Sequence, residues 1–252
     1  MTRSLQGSVV LVTAGTSGLG LCVAEKLIQA GASVVINYAS NEERAHDAFV
    51  HLNQLAAKSF SQDTGSRCLK IKADVTKKEG IQDLVNQTVS AMGRIDAVVS
   101  NAGWTKFANF HDIDDNVDEE VWDRCYAANV KSHMFLCHAA KKYLEEAKGA
   151  FVMTASVAGV KPSGELYPAQ IHLSKTLATV MAPSIRVNSV SPGFMETNWI
   201  VNMPQSKIDD AREKTLLKQI TKVEDVAEQI ILLIKSESVT GSNVVIDSGF
   251  SI

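Results

Sequence analysis

The sequence predicts an α/β fold, a doubly wound parallel sheet with helices on both faces. Three observations predict it. Short apolar runs rich in β-branched residues recur along the whole chain, stretches with a helical apolar period stand between them, and a glycine-rich bend follows the first run. Alternation of this kind implies right-handed strand–helix–strand units rather than hairpins.

The runs are VVLVT (9–13), SVVINY (33–38), CLKIKAD (68–74), DAVVSNAG (96–103), GAFVMTAS (149–156), IRVNSVSPG (185–193) and NVVIDSG (243–249). Each is apolar on both faces, as a strand covered on both sides must be. The first helix is expected from Leu21 to Ala30, closed by Gly31. In 77–92 the set Ile81, Leu84, Val85, Thr88, Val89, Met92 keeps the 3.6-residue period. In 119–147 the set Val121, Cys125, Ala128, Ser132, Leu136, Ala139, Tyr143 keeps it over a longer span. No internal repeat, low-complexity tract or Pro/Gly-rich linker divides the chain, so a single domain over 1–252 is expected.

Composition excludes several classes. With 252 residues, 45% hydrophobic and 21% charged, the chain has the profile of a soluble globular protein. A net charge of −3 without a basic cluster gives no footprint for nucleic acid. The apolar run at Val9–Val12 is too short for a signal core or a membrane span. Cys22, Cys68, Cys125 and Cys137 are scattered without metal-ligand spacing and read as core thiols of a reducing, cytoplasmic compartment; no metal is expected.

Function enters at the first bend. The first strand runs into Thr13-Ala14-Gly15-Thr16-Ser17-Gly18-Leu19-Gly20 and then an apolar helix. Glycines there let the backbone approach a pyrophosphate, and the helix start offers amides and a positive dipole end. The second strand ends Asn37-Tyr38-Ala39-Ser40-Asn41, with no carboxylate before Glu42 and with Arg44 one turn on. Neutral hydrogen-bonding groups beside an arginine suit a ribose 2′-phosphate, so NADP(H) is expected over NAD(H). Ser40 and Asn41 individually fit a helix cap equally well.

These motifs resemble the classical short-chain dehydrogenases/reductases, ketoreductase-like members in particular, from Gly7 to about Gly249. The resemblance implies a Rossmann-type fold and hydride transfer. It implies that TAGTSGLG is the family's TGxxxGxG loop, with Ala14 where the first glycine is usual. Asp74-Val75 is similar to the pair that touches adenine, and Ser100-Asn101-Ala102-Gly103 to the NNAG motif bordering the cofactor. Asn129 and Ser156 fall on the Asn and Ser of the catalytic tetrad. Pro192-Gly193 matches the segment beside the nicotinamide, with Thr197 at a cofactor-bonding position, and Ser248 stands where glycine is commoner in the last strand. Taken singly, Asn129 also fits a polar group facing buried water, and Ser156 a hydroxyl satisfying a strand end.

One family element is not in the chain. The resemblance implies a Tyr-x-x-x-Lys pair one helical turn apart, yet no tyrosine stands four residues before any lysine. Lys175 matches a later lysine of that helix, and the residue four before it is Ile171. Against the family spacing, Ser156 to Ile185 is short by roughly seven residues, close to two helical turns. Such a cut keeps the rest in phase, so Leu173, Leu177, Val180 and Met181 are expected to face the core.

Three readings stay open. Tyr167 acts as proton donor without a lysine partner; or the protein reduces an already activated iminium or enone, or serves isomerisation or cyclisation; or it is a cofactor-binding protein without catalysis. His172 is a weaker surrogate acid. Residues 194–219 are expected to form a lid over a small-molecule substrate, with Trp199, Ile200 and Met203 as apolar contacts and Trp104 and Phe107 opposite; the same aromatics equally fit helix or subunit packing. The resemblance also implies a homo-oligomer, dimer or tetramer, paired through helix 119–147 and the helix after Ser156.

Overall fold

The computed structural model describes residues 2–59, 68–106, 109, 112–162, 168–197 and 203–252. Seven strands form one parallel sheet: β1 Val9–Val12, β2 Ser33–Tyr38, β3 Cys68–Lys72, β4 Ala97–Ser100, β5 Ala150–Thr154, β6 Arg186–Pro192 and β7 Asn243–Ile246. Their order is β3-β2-β1-β4-β5-β6-β7. The chain therefore reverses direction across the sheet between β1 and β4, and the crevice at their carboxyl ends is where such sheets bind ligands. Every strand lies inside a run expected from the sequence, and four of the seven (β3, β4, β5 and β7) stop two or more residues short of its C-terminal end. Those trailing residues leave the sheet as the loops that build the site.

The helices are α1 Gly18–Gln29, α2 Glu42–Ser59, α3 Lys78–Met92, α4 Glu119–Tyr126, α5 Ser132–Ala147, α6 Pro168–Met181, α7 Gln205–Glu213 and α8 Val223–Lys235. Successive strand residues point to opposite faces, so each face gets its own core. Val10 and Val12 pack with α1, α2 and α8, whereas Val9 and Leu11 pack with α3, α5 and α6. Burial of each such side chain contributes about 1.5–3 kcal/mol, which makes the two-sided strands the main source of cohesion.

The structure corrects two expectations about packing. The long helix over 119–147 is interrupted by a π turn at Ala127–Lys131. A π turn holds one residue more than an α turn and rotates the helix beyond it. Cys137, Ala140 and Leu144 are consequently buried, while Ala139 and Tyr143 reach only the rim of the core. On α6 the buried stripe runs Ser174, Leu177, Ala178, Met181, with Leu173 packed at its edge, and Val180 is 70% exposed. Residue 180 lies about 100° round the helix from Met181 and misses the stripe.

Candidate functional site

The bend after β1 is built so that no side chain obstructs it. Gly18 is left-handed at φ 51 and Ala14 at φ 50. A Cβ on Gly20 would stand 2.3 Å from the Ala14 carbonyl oxygen and 2.8 Å from the Asn101 amide nitrogen, and one on Gly15 would stand 2.8 Å from Ile36. Ser17 is extended (φ −164), its side chain does not cap α1, and the first turn carries no carboxylate. The amides there are left for an incoming anion. Thr16 and Leu19 are buried in the loop, and Thr197 lies over Gly18, its Cβ 3.3 Å from where a Gly18 Cβ would be.

Asn37 and the β4 tip hold this bend in place. The Asn37 backbone oxygen accepts from Gly15 N (3.1 Å), and its Nδ2 donates to Ala73 O (3.0 Å). Asn37 is therefore buried and committed to backbone groups, so its amide organises the loop rather than facing solvent. Thr13 Oγ1 accepts from Asn101 N and Ala102 N at 2.9 Å each, and Asn101 Nδ2 donates to Thr13 O at 3.2 Å. Gly103, next along, is exposed.

At the end of β2 the charges compensate. Tyr38 donates its hydroxyl to Glu42, and Lys70 on β3 bonds the same carboxylate. The hydrogen bond to Glu42, with burial second, pushes the Tyr38 phenol up to about 12. Lys70, then Tyr38, hold Glu42 below the usual carboxylate range. Ala39, Ser40, Asn41 and Arg44 are exposed beside them, and Asn41 Oδ1 caps α2 by accepting from Arg44 N (2.8 Å). Asp74 is exposed and turned onto Thr76, with its Oδ1 2.9 Å from Thr76 N, while Val75 is buried.

Of the residues expected to carry chemistry, Asn129 lies in the turn between two helices and Ser156 at a strand end. Asn129 sits in the π turn, buried; its Oδ1 accepts from Trp104 N and its Nδ2 donates to Trp104 O, both at 2.8 Å. It clamps the loop after β4, and the Arg124 guanidinium lies 4.1 Å over the Trp104 ring. Ser156, half-buried just past β5, accepts from Ala158 N at 3.1 Å. Its hydroxyl proton has no acceptor among the described residues.

Beyond β6, Gly193 N donates to Ile246 O (2.8 Å), and a Gly193 Cβ would come within 2.8 Å of the Asp247 Cα. Pro192-Gly193 therefore lies against the chain end after β7. Burial raises the Asp247 carboxyl, but hydrogen bonds from Ser251, Gly249 and Phe250 outweigh it and the net direction is down. Ser248 is left-handed at φ 55. Lys161, five residues after Ser156, donates to Phe250 O at 2.7 Å and lies 4.7 Å over the Phe250 ring. Neither Lys161 nor Phe250 stands out in the sequence, since nothing local links residues 89 apart.

Tyr167, Phe107, Trp199 and Ile200 fall outside the described residues, and Met203 is half-buried. Lys175 and His172 are exposed on α6. Gln170 on the first described turns of α6 is buried against β5 and His133; it too went unread in the sequence.

Residues 13–251 match the family described as enoyl-(acyl carrier protein) reductase. The human protein named dehydrogenase/reductase SDR family member 4 is 34% identical, the match covering 99% of this chain and 90% of that one. The 3-oxoacyl-(acyl-carrier-protein) reductase FabG of Thermotoga maritima is 31% identical, covering 98% of this chain and 99% of that one. The crystal structure of a short-chain dehydrogenase from Burkholderia cenocepacia in complex with NADP superposes with a TM-score of 0.87 at 28% identity, covering 99% of this chain and 100% of that one. With its sheet order, its glycine bend and its length-wide relatives, the chain belongs to the short-chain dehydrogenase/reductase family.

Proposed function

We propose that the protein binds NADP(H) in preference to NAD(H) and transfers hydride between the nicotinamide and a carbonyl, C=N or C=C carbon of a small, fairly apolar substrate. The observation that carries this reading is the cradle at the mouth of α1, where a Cβ on Gly15 or Gly20 would collide and no carboxylate opposes an anion. Gly15 to Gly20 would hold the pyrophosphate, with Thr197 above Gly18. Ser40 and Arg44 would meet the ribose 2′-phosphate, because Glu42 beside them is already held by Lys70 and Tyr38. Asp74-Val75 would meet adenine, and Asn101 to Gly103 with Pro192-Gly193 would border the nicotinamide. When bound, NADP(H) supplies the hydride donor or acceptor.

The chain's own part is polarisation and positioning. Ser156 offers an uncommitted O–H to a substrate oxygen on which charge develops. Asn129 fixes the Trp104 backbone, the Trp104 ring would serve as a wall, and residues 194–219 would close over the substrate. Tyr167 is the candidate proton donor. Without a lysine one turn after that tyrosine, proton delivery is the weak step, which favours substrates that need little of it, such as an iminium or an activated enone.

The same sequence fact supports a second reading, a scaffold that binds NADP(H) for isomerisation, cyclisation or no catalysis. Fluorescence titration with NADPH beside NADH, followed by turnover assays on simple ketones and on an activated iminium, separates the two. Saturable binding that prefers NADPH together with iminium turnover supports the oxidoreductase. Binding without turnover of either substrate class replaces it with the scaffold, and absence of binding removes both.

A further inference from the structure

A closed ring of buried and half-buried polar groups ties the glycine bend to α6, and the proposed chemistry uses none of it but Asn101. Ser100 Oγ lies 2.6 Å from His133 Nδ1, and Gln170 Nε2 lies 3.0 Å from His133 Nε2 and 3.5 Å from Thr154 O. Thr154 Oγ1 donates to Asn101 Oδ1 at 3.2 Å, and Asn101 returns to Thr13. Asn101 follows Ser100 in the chain, so the ring closes through the backbone.

The donors fix the state of the histidine. Only an N–H can face the Thr154 carbonyl, so the Gln170 amide nitrogen points toward both Thr154 and His133. His133 Nε2 must then accept, its proton sits on Nδ1, and Nδ1–H donates to Ser100. His133 is fully buried and Gln170 is 1% exposed. The Gln170 carbonyl oxygen is buried without a partner among the described residues, an uncompensated cost. A leucine or methionine would fill the same volume without it. The amide is anchored by its two nitrogen contacts, which are set against the cost of its lone oxygen.

We propose that His133 is a positioning residue: acting through Gln170, it fixes the first turns of α6 against the end of β5, two residues before Ser156. This deepens the oxidoreductase reading, since Ser156 and any proton donor at the start of α6 must be held in one geometry to act on one substrate atom. The ring also gives the site a mechanical connection to the phosphate loop, through Asn101 and Thr13.

Two substitutions separate positioning from mere volume. A glutamine at 133 places an amide oxygen about where Nε2 stands, preserving the Gln170 contact; an asparagine reaches only about as far as Nδ1 and preserves the Ser100 contact alone. The test is amide hydrogen exchange across the full-length protein, with NADPH affinity and steady-state turnover in parallel. In His133→Asn, exchange of α6 residues 169–174 is expected to rise about tenfold with α1 and α3 unchanged. Its kcat is expected to fall about tenfold at unchanged NADPH affinity, and His133→Gln should recover both to within about threefold of the native protein. Gln170→Met should reproduce His133→Asn and serves in its place if His133→Asn does not fold, and the double variant should be no worse than either. Equal behaviour of Asn and Gln, or loss of protection throughout the sheet, overturns the proposal. An exchange pattern as expected in a protein that turns nothing over upholds the placement of α6 and removes the redox reading instead.

Discussion

The two ends of the site are held by different means. The glycine bend is made almost wholly of backbone: glycines pressed against Ala14, Ile36 and Asn101, with Thr13 and Asn37 tying main chain to main chain. The α6 side is made of side chains: Ser100, His133 and Gln170, drawn from three separate elements, do there what one loop does at the other end. A backbone-made site has no room for substitution, whereas a site made of side chains tolerates exchange provided the donors and acceptors still match. The first half is therefore vulnerable to added volume and the second to a lost donor or acceptor.

The largest effect is expected at Gly20. Gly20→Ala puts a Cβ against the Ala14 carbonyl, a backbone atom that cannot swing aside. Saturable NADPH binding is expected to disappear, with a loss of about 1–3 kcal/mol in urea unfolding. On the other side, burial pushes the His133 imidazole down to about 4. The folded state therefore refuses a proton that the unfolded chain accepts below its ordinary value of 6.5. That contribution is intact above pH 6.5 and is lost as pH falls toward 4. The native protein should lose about 3 kcal/mol more than His133→Gln between neutral pH and pH 4, read from urea midpoints at each pH. Equal pH slopes in the two proteins would mean that the ring is reached by solvent.

Between the two halves stands Ser156. Ser156→Ala should lower kcat about 100-fold, or about 2.7 kcal/mol, without changing NADPH affinity, as measured by stopped-flow turnover and titration. A matching loss of affinity would place Ser156 on the backbone-made side instead. The smallest effect lies outside both halves. Val180→Ser, on an exposed face of α6, should change unfolding by less than about 0.5 kcal/mol, yet shift light scattering toward a smaller species if copies pair through α6.

The backbone-made half was legible in the sequence and the side-chain half was not. Runs such as VVLVT and SVVINY are apolar on both faces, and only a strand buried on both sides requires that. The glycines between Ala14 and Leu21 announce the bend because sterics act locally. His133 escaped notice because the regular helical period continues through Ser132 and Leu136 to Ala139, and the π turn at Asn129 breaks that period. Gln170 gives no local signal because a single amide between Ala169 and Ile171 fits a solvated helix face equally well, and its partners lie 16 and 37 residues away. Lys70 neutralising Glu42, and Lys161 meeting Phe250, are contacts between distant strands and loops that no spacing encodes.

The π turn acts as a fixed offset between the two halves of a long helix: the turn itself presents Asn129 to the loop after β4, and the later half is turned so that His133 points inward. Winding 127–131 as a regular α turn with every residue kept would undo the offset, swinging the later half by about 100°. His133 would then leave the interior, and Ala139 and Tyr143 would take the places of Ala140 and Leu144. The buried histidine is thus tied to the π turn that absorbs the extra residue before it, so a sequence that closes this turn to an α turn without losing a residue must rebuild the wall of α5 that faces the sheet.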